Sequence, residues 1–218
     1  MIRIENTKIV GWDAVIRGMR NPLNSWHKID SYPGEFEGDE YVVGPNDMDL
    51  MTRLRNAGTD HRKFMRMITV YLDITAPLYW WKEFDTYKVG TVANSCSTMH
   101  KIHANKFTSE DFSCDHLIYD EPIPDRSYSA KGLMEIIVAN LNEFRELYLE
   151  TKDKKYWWQM IQLLPSSYNQ KRTVMLNYEV LANIYKSRKN HKLDEWHGFC
   201  RWIETLTNSE LITGVKNE

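Results

Sequence analysis

Three side chains in the stretch NYEVLANIYKSR have the types and spacing to recognise an aromatic heterocycle. Asn177 and Asn183 each carry a carboxamide, a paired donor and acceptor, and Arg188 adds a planar fork of N–H donors. At helical spacing the two amides come to adjacent faces of one pocket. The alternative is a solvated polar face. A second chemical stretch is VANSCSTMHK, which brings Asn94, Cys96, Ser97 and His100 directly after the apolar, aromatic run TAPLYWWKEFDTY. It is either an ordinary helix start or the wall of a pocket.

Other chemistries find less support. Cys96, His100, His103 and His116 supply nitrogen and sulfur ligands, but no C-x-x-C pair accompanies them and their spacing is not that of a zinc site. These histidines read as solvent-facing or satisfied in a polar network. Cys96 at a helix start is placed to ionise, yet no partner histidine can be assigned to it. Neither the glycine-rich dinucleotide fingerprint nor the P-loop pattern occurs.

The composition bounds the partners. With 28 basic and 30 acidic side chains the formal charge is -2, which provides no footprint for duplex DNA or an anionic membrane. Neither nucleic acid nor membrane is expected as a partner. The three cysteines are too few and too scattered for a disulfide framework, so reduced thiols and a cytoplasmic setting are expected. The first residues lack the apolar core of a signal peptide, and no window is apolar enough to span a bilayer. Eight Trp and 12 Tyr suit a ligand pocket or a subunit interface.

The positioning elements follow from periodicity. MIRIENTKIVGWDAVIRGM reads as a strand leading into a helix, and NPLNSWHKIDSYPGEFEGDEYVVGPND as a long surface loop. Asp47 is expected to cap a helix that carries Leu50, Met51 and Leu54 and closes at Gly58. In MRMITVYLDIT, Ile68, Val70, Leu72 and Ile74 alternate with Met67, Thr69, Tyr71 and Asp73, the pattern of a strand. Pro77 ends it and suits the first turn of the next helix. The segment from Ser129 to Pro165 predicts two helices broken near Lys152 to Lys155. TVMLNYEVLANIYKSRK has a helical pattern throughout, and DEWHGFCRWIETLTN is a helix capped by Asp194. The fold class is α+β, mainly helical with a small central antiparallel sheet, in a single domain spanning residues 1–218.

The order of these fragments resembles the flavin-dependent thymidylate synthases. Leu50, Leu54, Gly58 and His61 fall on an L-x-x-L-x-x-x-G-x-x-H-like run, and Ala76-Pro77 on the family's helix start. The family signature R-H-R-x-x-S-x-N-E-x-S-x-R-Y is matched, with one inserted residue, at Lys88, Asn94 and Ser97. Leu164-Pro165 then precedes Asn177, Leu181, Asn183 and Arg188 at the family's intervals. Thr86 and Tyr87 replace the first Arg and the His of R-H-R, Ser95 the Glu, and Met99-His100 the Arg-Tyr. Glu83 replaces an upstream Gln, and Ile161 an Arg before Leu-Pro.

The resemblance implies a flavin-dependent thymidylate synthase-like fold and a homotetramer. It implies tightly bound FAD and methylation of a pyrimidine deoxynucleotide such as dUMP, with methylenetetrahydrofolate and NADPH as co-substrates. Ser97 and Arg188 would be catalytic. Glu83, Ser97, Lys88 and Arg188 would hold substrate, and His61, Tyr87, Lys88, Asn94, Asn177 and Asn183 the flavin. With several cations of the motif replaced, Lys82, Lys88, Lys101 or Arg172 must serve the phosphate. Otherwise the chain keeps the fold as a non-catalytic nucleotide-binding or assembly protein.

Overall fold

The computed structural model describes residues 2–35 and 41–214. The elements run β1 (Arg3–Val10), α1 (Trp12–Arg20), α2 (Pro45–Asn56), β2 (Thr69–Pro77), α3 (Leu78–Phe84) and β3 (Val92–Ser95). They continue through α4 (Thr98–Lys101), α5 (Ala130–Thr151), α6 (Lys154–Leu163), β4 (Asn169–Asn177), α7 (Tyr178–Arg188), α8 (Asp194–Glu204) and α9 (Glu210–Thr213). The fold is mainly helical, with one antiparallel sheet in the order β1-β2-β4-β3. In β2, Val70, Leu72, Ile74 and Ala76 are buried and Tyr71 is exposed, as the period of two in the sequence requires. Asp73 ties three strands together. Its carboxylate accepts from Asn6 Nδ2 on β1 at 2.9 Å and from Thr173 Oγ1 on β4 at 2.6 Å. No helix among the described residues is long and apolar enough to cross a membrane.

These elements group into two compact units. The first comprises residues 4–35, 41–73, 87–93 and 173–214. Its core is Val15, Ile16, Met51, Met65, Ile68, Tyr178, Leu181, Trp196 and Phe199, all fully buried. Here α7 packs on α8, α9 and a 3₁₀ segment at Arg62–Met67. The second unit comprises residues 2–3, 74–86 and 94–172. It is held by a Trp80, Trp81 and Phe84 cluster and by Ile102, Phe107, Phe112, Leu141 and Met160 against the α5–α6 hairpin. The hairpin turns at Lys152, where φ is 56°, and Asp153 caps α6 by accepting from Lys155 N at 2.9 Å.

Four boundaries differ from the expectations, each for a tertiary or local reason. Asp47 is not the cap of α2. That helix starts at Pro45, and Asp30 from the preceding loop caps it, accepting from Asn46 N at 2.8 Å and Asp47 N at 3.1 Å. Gly44 permits this, because a Cβ there would lie 2.3 Å from Asp30 Cγ. Thr173–Asn177 is strand, not helix. Val174, Tyr178 and Leu181 fit a helical stripe, but sheet pairing claims the first five residues and α7 begins at Tyr178. Pro77 closes β2 as expected but is the N-cap of α3 rather than a first-turn residue, and Leu193 rather than Asp194 occupies the cap of α8. The expected surface loop contains two 3₁₀ turns and a Tyr32–Val42 bridge, while residues 36–40 of it lie outside the described residues.

Candidate functional site

In the first unit, Arg188 ends α7 half-buried against two rings. Its Nε donates to Tyr87 Oη at 2.9 Å, and its Cζ lies 5.6 Å from the Tyr87 ring and 4.9 Å from the Trp196 ring. Tyr87 and Trp196 meet edge-on at 6.1 Å; packing fixes the fully buried Trp196, and the half-buried Tyr87 rests against it. Cation–π attraction and the hydrogen bond orient a guanidinium that would otherwise sample many rotamers.

The turn after Tyr87 approaches the start of the same helix. Gly90 has φ +79°, and a Cβ on it would lie 3.0 Å from Asn177 Nδ2 and 3.2 Å from Val180 Cγ2. Asn177 caps α7, its Oδ1 accepting from Val180 N at 3.0 Å. Thr91 Oγ1 is buried with no hydrogen-bond partner among the described residues. Gly90→Ala is therefore expected to cost about 1–2 kcal/mol in denaturant unfolding, from the left-handed backbone and the displaced cap. Unchanged stability would mean that the turn relaxes without moving Asn177.

Glu179 joins α7 to the segment after His61. It is 10% exposed and accepts from Arg62 Nε at 3.2 Å and from Arg66 Nε. Burial pushes its carboxyl up, but the hydrogen bonds and charges of Arg66 and Arg62 outweigh that and hold it below the usual range. His61 itself is exposed, as are Lys88 and Asn183.

In the second unit, Asn94 and Ser97 are exposed and Glu83 is half-buried on α3. VANSCST is strand β3 followed by a helix start. Ser97 Oγ accepts from His100 N at 3.0 Å, which leaves its own proton to donate. Cys96 is pinned through its backbone, its N donating to Lys171 O and its O accepting from Gln170 Nε2, both at 2.9 Å. Arg172 is already engaged. It donates to Asp85 Oδ1 at 2.9 Å and Gln170 Oε1 at 3.0 Å, and lies 4.2 Å over the Trp81 ring. Burial raises the thiols of Cys114 and Cys200, the latter to about 11, so neither is a ready nucleophile.

Among the sequence-predicted residues, the structure joins Tyr87 directly to Arg188, and Asn177 to the Gly90 turn. Asn183 is exposed on α7 while Arg188 is half-buried at its end, and Asn177 stands before the helix as its cap rather than on it. Sequence reading missed the roles of Trp196, Gly90 and Thr91. The glycine of Val-Gly-Thr could have marked Gly90 as a turn; nothing local marks Trp196.

No family model matches the sequence, and no curated protein does. Solved structures do. The flavin dependent thymidylate synthase ThyX from Helicobacter pylori, complexed with FAD and dUMP, is similar with a TM-score of 0.69 at 15% identity, over 99% of this chain and 100% of that one. A second structure of that protein with FAD and dUMP gives 0.67 at 16% identity over 98% of both chains. The UMP/dUMP methylase PolB from Streptomyces cacaoi, bound with 5-Br dUMP, gives 0.58 at 14% identity, over 94% of this chain and 89% of that one. The fold of this chain is that of the flavin-dependent thymidylate synthases.

Proposed function

We propose that this chain is a flavoprotein acting on a pyrimidine deoxynucleotide such as dUMP, by FAD-dependent reductive one-carbon transfer with methylenetetrahydrofolate and NADPH as co-substrates. We assign it one domain over residues 1–218, a homotetrameric assembly and a cytoplasmic setting. One observation carries the reading: in a chain with this fold, the arginine at the matched position is immobilised between Tyr87 and Trp196.

The residues present suit a flavin. Gly90 lets backbone approach the Asn177 amide, Thr91 Oγ1 is a buried hydroxyl in want of a partner, and Lys88 is an exposed cation in the same turn. These are the donors that a flavin ring edge and pyrophosphate take up. His61, Tyr87, Lys88, Asn94, Asn177 and Asn183 are assigned to FAD, which when bound supplies the reducing chemistry. Arg188 holds the pyrimidine and favours negative charge developing on its ring. Ser97 is assigned a catalytic role beside the pyrimidine, and Glu83 and Lys88 are assigned to the substrate.

An absorbance spectrum after incubation with FAD and gel filtration tests this. Retained flavin is expected, followed by tritium release from labelled dUMP when the co-substrates are added. A colourless protein at high micromolar FAD would refute the flavoprotein. The second reading, a non-catalytic nucleotide-binding or assembly protein, is favoured by the pairing of Arg172 with Asp85, which neutralises one cation available for phosphate. A colourless tetramer that binds nucleotide would establish it.

A further inference from the structure

Tyr87 stands where the resembled signature has a histidine, yet its hydroxyl is turned to another protein side chain. Oη accepts from Arg188 Nε at 2.9 Å, while Trp196 lies 4.9 Å from the guanidinium carbon. The Tyr87 ring is itself braced against Trp196, and Trp196 against Phe199 at 5.9 Å. His191 adds a third support, its ring 6.3 Å from Trp196 and its N donating to Arg188 O at 3.0 Å. We infer that Tyr87 and Trp196 are positioning residues that hold the Arg188 guanidinium ready for a pyrimidine ring on which negative charge develops, a role that rests on the nucleotide reading above.

The physical case is preorganisation. A free arginine must surrender rotamer entropy when it binds, and a guanidinium already fixed at Nε and stacked on a ring has surrendered it during folding. The brace works because tyrosine is neutral and accepts a hydrogen bond. An arginine at position 87 would repel Arg188, and phenylalanine would keep the ring but release Nε.

Two measurements on the full chain test this. In the first, the Arg188 Nε–H resonance of nitrogen-15-labelled protein is followed without ligand. It should exchange slowly with water, and in Tyr87→Phe it should merge with the exposed arginines; an unchanged resonance overturns the brace. In the second, dUMP affinity is measured in a double-mutant cycle. Tyr87→Phe should weaken binding roughly tenfold, the size of one charge-assisted hydrogen bond, and have no further effect on top of Arg188→Ala. An equal loss in both backgrounds would mean that Tyr87 touches the nucleotide itself, and it would overturn the positioning role. Absence of dUMP binding by the unaltered protein, with the resonance behaving as expected, would reject the nucleotide reading and with it the role in recognition, while the brace itself stands.

Discussion

Arg188→Ala is expected to weaken dUMP binding roughly a hundredfold, the equivalent of about 2–3 kcal/mol, while leaving the fold intact. The affinity loss comes from removing the charged donor assigned to the pyrimidine. The fold survives because Arg188 is the last residue of α7 and half-buried, with the core of that helix made by Tyr178, Leu181 and Ile184. Removing a cation from a helix C-terminus costs only about 0.3–1 kcal/mol. Calorimetric titration with dUMP beside denaturant unfolding separates the two effects. Arg188→Lys should fall between, since an ammonium keeps the charge but loses the planar stacking on Trp196 and the Nε bond to Tyr87. Normal affinity in Arg188→Ala would remove this residue from the site.

Asp47→Ala should destabilise the protein by about 3–5 kcal/mol, the usual result of stranding one partner of a buried ion pair. Asp47 is 0% exposed and Arg20 4%, with Arg20 Nη2 and Oδ1 2.6 Å apart. The other oxygen, Oδ2, accepts from Ser31 Oγ at 2.7 Å and from Asp30 N and Ser31 N at 3.1 Å. The loop and α2 therefore cap each other: Asp30 receives the helix N–H groups, and Asp47 receives those of the loop. Losing Asp47 strands the Arg20 charge and loosens Asp30 together. Arg20→Met in the same background should recover part of the loss, because the unpaired charge goes with it.

The pH dependence of this contribution has a definite sign. Burial raises the Asp47 carboxyl, but bonds from Ser31, Arg20 and Asp30 outweigh it and lower the folded-state value below the ordinary 3.8. The stabilisation is then complete above about pH 4 and lost as pH falls through the folded value. Denaturant curves of the unaltered protein and Asp47→Ala should converge in acid; a constant gap would show that the loss is packing and not charge.

How far the sequence could be read depended on whether each feature is local. Strand β2 was legible because alternation of Val70, Leu72 and Ile74 with Thr69, Tyr71 and Asp73 admits a single face assignment. The α5–α6 break was legible because Lys-Asp-Lys-Lys interrupts an apolar stripe. Strand β4 was not, since Val174, Tyr178 and Leu181 satisfy a helical spacing while Val174 and Leu176 satisfy an alternating one. Only pairing with β2 and β3 resolves that ambiguity.

By itself the sequence determined the α+β class, most of the helices, and a sparse set of positions that resemble one family in order and spacing. Those properties depend on periodicity and local backbone preference, which neighbouring residues carry. Tertiary structure alone decided that Asp30 caps a helix 15 residues on, that Asp47 serves Arg20 instead of its own helix, and that Arg172 is paired with Asp85. It alone decided that Tyr87 meets Arg188 across 101 positions of chain. Such pairs have no local signature, because their partners become neighbours only after the core has packed.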